Sequence, residues 1–166
     1  MDNQELRFLL LTRETLPLAR EIDRTDIPGD YVDDLDTIME LTQYGLDHNC
    51  KGHTYLIVRH GRCIGLILLG EAILWATDPE EMRQQPFYRL MDFVLDRTVR
   101  GMGLGSLILE ETIRRIYEQY GPRPIALGIH RNNAGAVRFY RRHGLRPADA
   151  TEGKDRYYLR YPDDPC

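Results

Sequence analysis

Three alternating glycines behind an arginine constrain this chain more than any other segment. They lie between an apolar stretch at 88–96, typical of a strand, and a stretch at 104–119 with the apolar spacing of a helix. Glycine lets the backbone turn and lets a ligand approach the amide groups closely. Because the first amides of a helix lack intrahelical acceptors, this arrangement predicts an anion-binding loop. The loop consists of Arg100, Gly101, Met102, Gly103, Leu104, Gly105 and Ser106.

The loop fits neither of two common phosphate-binding motifs. A dinucleotide-binding fingerprint needs G-x-G-x-x-G early in a βαβ unit, whereas these glycines alternate and lie about two-thirds along the chain. A P-loop needs lysine before a serine or threonine, and this loop contains no lysine. The remaining alternative is a glycine-rich turn without a ligand.

A second motif follows a short apolar stretch at 125–129. It reads Asn133-x-x-Ala136-x-x-Phe139-Tyr140-x-x-x-Gly144-Leu145. Together with Arg100-x-x-Gly103-x-Gly105, it resembles the paired motifs of the GNAT superfamily of acyl-CoA N-acyltransferases. The resemblance covers about residues 54–147 and is weaker in the N-terminal third. Leucine at position 145, where phenylalanine is commoner, is a conservative departure.

The resemblance implies an α/β (α+β) GNAT fold. Such a fold has a central mixed, mostly antiparallel sheet of six to seven strands, flanked by about four helices. The residue pattern predicts strands at 5–12, 54–59, 63–69, 88–96, 125–129 and 156–161, and helices at 14–24, 33–47, 104–119 and 133–143. With 166 residues and no linker-like segment, we expect a single domain over residues 1–166.

The resemblance also implies acetyl-CoA as co-substrate. Backbone groups of Phe93, Val94 and Leu95 would bind the pantetheine arm, and the loop from Arg100 to Ser106 would bind the pyrophosphate. Asn133 would contact the pantetheine arm or order its own loop. Tyr140 would lie beside the thioester sulfur as general acid; its alternative role is packing on the sheet.

The identity of the general base stays open at this point. An alkylamine has a pKa of about 10.4, so a base or a water relay is needed to make it a nucleophile near neutral pH. Asp92 lies on the strand that leads to the glycine loop, and Glu71 ends the preceding strand. A water chain without a dedicated base is the other possibility. His130 either exchanges a proton near neutral pH or has a structural role.

The net charge of −4 hides two segments of opposite charge. Residues 21–40 hold eight acidic side chains and one arginine, whereas residues 97–146 hold ten arginines and three glutamates. The acidic segment either attracts a cationic acceptor or only caps and solvates helices. A polyamine, an aminoglycoside or a peptide amine would fit the first alternative. The strand at 90–96 with its loop also resembles polyamine acetyltransferases.

Several other classes of protein are disfavoured. No run of about 18 apolar residues suggests a membrane span, and the N-terminus lacks the features of a signal peptide, so we expect a cytoplasmic protein. The net negative charge argues against nucleic-acid binding. Three distant cysteines predict neither disulfides nor a metal site. We expect a monomer or homodimer, and the functional alternative is a non-catalytic acyl-CoA sensor with the same fold.

Overall fold

The computed structural model describes residues 5–163 of the chain. Within this range, seven strands and four α-helices follow one another in a mixed α/β order. In chain order they are β1 (Leu6–Leu10), α1 (Leu16–Ala19), α2 (Leu35–Asp47), β2 (Gly52–Arg59), β3 (Arg62–Glu71), β4 (Tyr88–Leu95), α3 (Leu104–Tyr120), β5 (Ile125–His130), α4 (Ala134–Arg142), β6 (Arg146–Glu152) and β7 (Asp155–Arg160).

All strands form one sheet, in the order β1-β2-β3-β4-β5-β7-β6. Every neighbouring pair is antiparallel except β4 and β5, which are parallel. These two strands pair only through Tyr88 with Ile125 and Arg89 with Ala126. Beyond Arg89 they separate, so the sheet opens into a gap toward the ends of both strands. The predicted mixed, mostly antiparallel sheet is confirmed.

Helices cover both faces of the sheet, and each face has its own apolar cluster. On the first face, α3 and α4 pack through residues such as Ile108, Ile113 and Tyr140. On the second face, α1 and α2 pack through Ala19, Ile38 and Met39. The 3.6-residue spacing of these apolar positions is the pattern from which the longer helices were predicted. We call these surfaces the α3/α4 face and the α1/α2 face.

Two elements differ from the sequence prediction. The helix predicted over 14–24 is limited to Leu16–Ala19, because the following amides bond three residues back and form successive turns that end at buried Ile22. Strand β6 was not predicted, since its sequence contains Pro147 and polar residues. It lies at the edge of the sheet, and its register with β7 is irregular between Pro147 and Thr151. Proline and solvent-facing polar residues are tolerated there.

Three further observations bear on the classes considered above. Within residues 5–163, no helix has both the length and the apolar character needed to cross a membrane. In the same range, no three His, Cys, Asp or Glu side chains are grouped as metal ligands would be. Cys50 and Cys63 are free thiols, and burial raises the pKa of Cys63 to about 11. Cys166 lies outside the described residues.

Candidate active site

An extra residue in β4 sets which side chains face each side of the sheet. Leu69 of β3 pairs with Leu90, but the preceding Leu68 pairs with Asp92, so Met91 is a β-bulge. As a result, Leu90 and Phe93 both lie on the α3/α4 face. Asp92 lies on the opposite face, where its Oδ1 accepts a hydrogen bond from the backbone of Asp33, just before α2.

The backbone of β4 beyond the bulge presents polar groups to the gap. In an antiparallel pair, every second residue directs its backbone N–H and C=O to the partner strand. Asp96 is one of these residues, because its N–H donates to the carbonyl of Ile64 at 2.7 Å. Val94 therefore directs its backbone groups to β3, whereas Phe93 and Leu95 direct theirs into the gap. The Val94 side chain is buried in the α1/α2 cluster. Of the three residues predicted to bind pantetheine through the backbone, Phe93 and Leu95 have the required direction.

A cleft of about 470 Å³ lies on the α3/α4 side of this gap. Both sequence motifs line it, although they are separated by about 30 residues in the chain. Its apolar wall is suited to a pantetheine arm, and its far end is the glycine loop. The residues of the two motifs and of β4 that line it are Phe93, Leu95, Arg100, Gly101, Gly103, Gly105, Ser106, Asn133, Ala136, Phe139 and Tyr140.

The glycine loop has the geometry of an anion cradle. Gly101 and Gly103 adopt positive φ angles of 78° and 80°, which side-chain-bearing residues rarely adopt. Gly103 precedes α3, so the first amides of that helix lack intrahelical acceptors. A Cβ on Gly105 would lie 3.2 Å from the Phe139 ring, so glycine permits close contact between α3 and α4. These features fit a diphosphate.

Two loop residues contribute backbone rather than side chain to this cradle. The Met102 side chain is exposed to solvent, and the side chain of Leu104, the first residue of α3, is fully buried. Asn133 serves as the N-cap of α4, because its side chain accepts a hydrogen bond from Ala136 N–H at 3.2 Å. The structure thus gives Asn133 the second of its two predicted roles, which is to order its own loop, while it still lines the cleft.

Arg100 is already engaged by protein groups. Its Nε and Nη2 donate to the Leu95 carbonyl at 3.1 and 2.8 Å. Its Nη1 forms an ion pair with Asp26, which also lines the cleft. Arg100 therefore joins the end of β4 to the segment before α2, and an anion in the cleft has to compete with the Asp26 carboxylate.

Asp96 anchors the start of the glycine loop, a role that the sequence motifs did not indicate. It is completely buried and accepts hydrogen bonds from Asp23 N–H at 2.7 Å and from Arg62 at 3.0 Å. It also binds the backbone and hydroxyl of Thr98. Burial opposes ionisation, but these hydrogen bonds outweigh it and hold the pKa of Asp96 well below its usual range.

Asp92 lies at the centre of the gap with part of its carboxylate unpaired. The residue is 3% exposed. Its Oδ1 accepts the Asp33 N–H at 3.1 Å, while its buried Oδ2 has no hydrogen-bond partner among residues 5–163. Burial, followed by the neighbouring charge of Asp33, raises the pKa of Asp92 to about 8. A carboxyl group with this pKa can exchange a proton near neutral pH.

Tyr140 approaches the same point from the opposite face. It is buried in α4 and lines both the large cleft and a small cavity of about 80 Å³ that Asp92 and His130 also line. Burial, followed by the charge of Asp92, raises the pKa of Tyr140 above its ordinary value. The structure thus brings Asp92 and Tyr140 together across the gap between β4 and β5.

His130, the last residue of β5, also lines this small cavity. Its Nδ1 accepts a hydrogen bond from Asn132 N–H at 3.1 Å, so the neutral ring carries its proton on Nε2. Asp30 Oδ2 lies 3.0 Å from Nε2, but the two are not aligned for a hydrogen bond. The ring also packs against Tyr31 at 4.8 Å. These contacts fix the ring and place a carboxylate beside it.

Glu71, the second base candidate, is not part of this centre. Its Oε1 lies 3.5 Å from Arg123, and its residue pairs with Tyr88 at the beginning of β4. Asp92 pairs with Leu68, three residues before Glu71 on β3, which is roughly 10 Å along the strand at about 3.3 Å per residue. Glu71 instead lines a different cavity of about 180 Å³ between α2 and residues 71–75.

That second cavity is mainly apolar and adjoins the gap between β4 and β5 at one residue. Leu46, Ile73 and Trp75 belong to its lining. Met91, the bulged residue of β4, lines both this cavity and the small cavity that contains Asp92. A mainly apolar cavity therefore lies between α2 and the segment that follows β3, next to the gap between β4 and β5.

The acidic segment divides between the two roles considered from the sequence. Asp34 caps α2 by accepting from Thr37 N–H at 2.8 Å, and Asp23 pairs with Arg97 at 3.2 Å. Asp30 and Asp33, by contrast, lie beside His130 and Asp92. On β7, burial raises the pKa of Asp155, and the charges of Glu152, Asp30 and Asp33 raise it further. Asp155 is distant in sequence, so no local motif indicated it.

Comparison with solved structures supports the fold assignment. An acetyltransferase from Thermus thermophilus is similar with a TM-score of 0.69 and 19% identity, covering 97% of this chain and 99% of that one. The PaiA N-acetyltransferase of Thermoplasma acidophilum, in complex with coenzyme A, has a TM-score of 0.65 at 16% identity and covers 94% and 98%. A GNAT acetyltransferase of Elizabethkingia anophelis with acetyl-CoA bound has a TM-score of 0.59 at 14% identity and covers 96% and 99%.

Sequence comparison gives the family itself. No curated protein sequence matches the chain. The family model described as acetyltransferase (GNAT) family matches residues 16–145, which include both motifs and the whole of the gap between β4 and β5. A match over this much of the chain, on the fold and the cleft described above, shows that the chain belongs to the GNAT family of acetyltransferases.

Proposed function

We propose that the chain transfers the acetyl group of acetyl-CoA to a cationic primary amine, with Asp92 as proton acceptor and Tyr140 as general acid. The observation that carries this proposal is the unpaired, buried Oδ2 of Asp92 in the cavity that Tyr140 also lines. One group would take a proton from the amine and the other would give a proton to the departing thiolate. Both lie where the cofactor cleft meets the acceptor side.

The cleft on the α3/α4 side supports binding of the co-substrate. The amides at the start of α3 and the Arg100 guanidinium suit the diphosphate. Backbone groups of Phe93 and Leu95 face the pantetheine path, and an amide there can polarise the thioester carbonyl. Acetyl-CoA supplies the activated acyl group. The protein residues bind it, exclude water and orient its thioester toward Asp92 and Tyr140.

The raised pKa makes Asp92 a better base for an alkylammonium ion. Moving a proton from a group of pKa about 10.4 to Asp92, whose pKa is about 8, costs roughly 3 kcal/mol. The same transfer to a carboxylate with the ordinary pKa of about 3.9 costs roughly 9 kcal/mol. A cationic amine beside Asp92 also favours its ionised form by Coulomb attraction. Burial therefore prepares this carboxylate for the task.

Tyr140 and Asp92 are linked by their charges. The negative charge of Asp92 raises the pKa of Tyr140, and proton uptake by Asp92 removes that charge. The Tyr140 hydroxyl thus becomes a stronger acid once the amine has been deprotonated. The nitrogen then forms a bond to the acetyl carbon, and the carbon–sulfur bond breaks. Tyr140 provides the proton that neutralises the thiolate, and the second proton that the nitrogen loses on becoming an amide restores the Tyr140 hydroxyl.

The charge on the α1/α2 side supports a cationic acceptor. Asp30 and Asp155 lie beside His130, and Asp33 lies beside Asp92. Arg24, which binds the Asp33 carbonyl, partly offsets their charge, but among residues 5–163 neither lysine nor arginine lines the small cavity. Carboxylates at the entrance concentrate cations by electrostatic attraction. The apolar cavity beyond Met91 offers space for the body of the acceptor.

The experiment that tests this proposal measures free-thiol release from acetyl-CoA with four amine classes: a polyamine, an aminoglycoside, a short peptide and an arylalkylamine. We expect turnover with at least one class, and mass spectrometry should find an acetyl group on the amine. Asp92→Asn serves as the variant that keeps shape but cannot accept a proton. Cofactor binding without turnover in all four classes would favour the non-catalytic sensor.

A further inference from the structure

A chain of hydrogen-bonded side chains runs from the cofactor cleft into the protein, away from Asp92 and Tyr140. Ser106 lines the cleft in the first turn of α3, and its Oγ lies 2.9 Å from His143 Nε2. His143 Nδ1 lies 2.8 Å from Glu110 Oε1. Arg160 on β7 then binds both oxygens of Glu110 at 2.9 and 3.3 Å. The proposed acetyl transfer uses none of the last three residues.

The ionisation of Glu110 determines where the protons lie. Burial opposes its ionisation, but hydrogen bonds from Arg160 and His143 outweigh burial and hold the pKa of Glu110 below its ordinary value. An ionised carboxylate can only accept, so His143 carries a proton on Nδ1. In the neutral ring, Nε2 is then an acceptor, and the Ser106 hydroxyl must donate inward to it.

This inward orientation is unfavourable for a diphosphate. When Ser106 donates to His143, the hydroxyl oxygen presents lone pairs to the cleft, and this hydroxyl cannot donate to a phosphate oxygen. When His143 gains a second proton, Nε2–H donates to Ser106 Oγ. The hydroxyl hydrogen is then free to turn toward the cleft and donate to a phosphate oxygen, a charge-assisted hydrogen bond.

We propose that His143 is a positioning residue for the cofactor: its protonation turns the Ser106 hydroxyl into a donor for the diphosphate, so that cofactor binding takes up a proton at this histidine. The inference rests on the proposed function in that it assumes binding of coenzyme A in this cleft. The proton comes from solvent and is held on Nε2. No covalent bond to Ser106 forms.

Other charged groups around His143 are consistent with this role. Glu110 faces it from α3 and favours the protonated ring, while Arg160 faces it from β7 and binds the His143 carbonyl at 3.2 Å. Arg142, its neighbour on α4, lines the cleft, and the Phe139 ring contacts the imidazole at 4.8 Å. Protonated His143 would also add positive charge behind the diphosphate.

The direction of the pH dependence follows from linkage. Bound diphosphate favours protonated His143, so cofactor binding and proton uptake by this ring favour each other. Affinity is then highest at low pH, where the ring is protonated, and falls as pH rises. The dissociation constant rises by at most about tenfold per pH unit and levels off once the ring is neutral in both the free and the bound protein.

The test is calorimetric titration of the full chain with coenzyme A in buffers of different ionisation enthalpy, across the pH range where imidazole side chains titrate. The phosphates of coenzyme A and Asp92 also exchange protons, so the decisive quantity is the difference between variants. We expect net proton uptake in the wild type that exceeds the uptake in His143→Gln, because an amide cannot gain a proton.

Ser106→Ala separates the proposed link from simple charge attraction. We expect it to weaken binding by about tenfold at low pH, where His143 is protonated; this is the effect of losing one hydrogen bond to a charged group. It should also remove most of the pH dependence that His143→Gln removes. His60→Asn, at an exposed hairpin turn, should leave both quantities unchanged.

Two results would overturn the inference. One is proton uptake in Ser106→Ala equal to that of the wild type, which would leave the hydroxyl without a part in the linkage. The other is identical uptake in the wild type and His143→Gln. Either result leaves cofactor binding intact and so differs from failure of the proposed function, in which coenzyme A does not bind at all.

Discussion

The two sides of the gap between β4 and β5 are built from sequence in different ways. On the α3/α4 side, the cofactor cleft takes most of its lining from two compact segments, 100–106 and 133–140. On the α1/α2 side, the acidic entrance collects Asp30, Asp33, His130 and Asp155 from three distant regions. The cofactor cleft is thus formed mainly by loops and helix ends that are each local in sequence. The acidic entrance exists only once the sheet has formed.

The two sides also differ in how they recognise charge. The cofactor side relies on backbone amides and on an arginine, groups that stay positive at every physiological pH. The acceptor side relies on carboxylates whose burial and mutual repulsion raise their pKa values, as at Asp92 and Asp155. We therefore expect pH to act on kcat through the acceptor side and on cofactor affinity through His143, and changes on each side should affect different kinetic constants.

The largest expected effect is that of Tyr140→Phe. Loss of the proton donor should lower kcat by about 100-fold, within the usual range for general acid catalysis, while KM for acetyl-CoA changes little. The hydroxyl makes no hydrogen bond to any residue in 5–163, so the melting temperature should change little. Tyr117→Phe is the matched control, since that hydroxyl bonds to the Arg123 carbonyl away from the cleft. Wild-type turnover in Tyr140→Phe would reduce Tyr140 to a packing role.

Asp92→Asn should lower kcat by about tenfold or more, because general base catalysis is lost on the acceptor side. The loss of this base should be visible in the dependence of kcat/KM on pH. The base must be ionised, so wild-type kcat/KM should rise with pH up to about 8, and this rise should be absent in the variant. Measuring this profile with two acceptor amines of different pKa separates the ionisation of Asp92 from the ionisation of the substrate. The rise that is due to Asp92 stays at the same pH with both amines.

The same substitution should reveal the cost of burying Asp92. Because its pKa is raised to about 8 in the folded protein, the folded state holds a proton that the unfolded state releases above its ordinary pKa of about 3.9. Stability of the wild type therefore falls between these values as pH rises. Thermal melts should show Asp92→Asn gaining stability over the wild type at high pH and not at low pH. An equal gain at both would contradict the raised pKa.

A smaller effect is expected from Arg100 and Asp26 on the cofactor side. Arg100→Ala should weaken coenzyme A binding by about tenfold through loss of one charge-assisted contact. Asp26→Asn should tighten binding by a few-fold, since it frees the Arg100 guanidinium from its ion pair. Calorimetry measures both changes in affinity. Arg97→Ala is the control, because Arg97 pairs with Asp23 at the surface. Equal binding in all three variants would exclude Arg100 from the diphosphate site.

Much of the fold could be predicted because its elements carry strong local patterns. The β2–β3 hairpin, α3 and α4 lie close to their expected positions, since their apolar spacing matches the period of the element. Strand β6 was missed because an edge strand needs neither apolar alternation nor freedom from proline. The turns after α1 were missed because their geometry depends on burying Ile22 against the sheet.

The candidate site likewise contains residues that local sequence patterns predict and residues that only the folded structure brings together. The glycine loop and the N-cap Asn133 could be named from motifs, since local backbone geometry favours those residue types, whereas Tyr140 was named from the resemblance to the GNAT superfamily. Asp92 could be named only as one of two carboxylates, because its direction depends on the bulge at Met91. The Asp26–Arg100 pair and the Ser106–His143–Glu110 chain join residues more than 30 positions apart, and no spacing rule relates them.

The bulge at Met91 determines which side of the sheet each later side chain of β4 faces. Side chains alternate along a regular strand, so a residue that stays outside the pairing exchanges the face of every later side chain. If Met91 paired with β3 as a regular residue, Asp92 would turn toward the cofactor cleft and Phe93 toward the proposed acceptor side. Deletion of Met91 would instead leave Leu90 paired with Leu69 and Asp92 with Leu68, so both side chains would keep their faces and only the wall that Met91 forms would be lost.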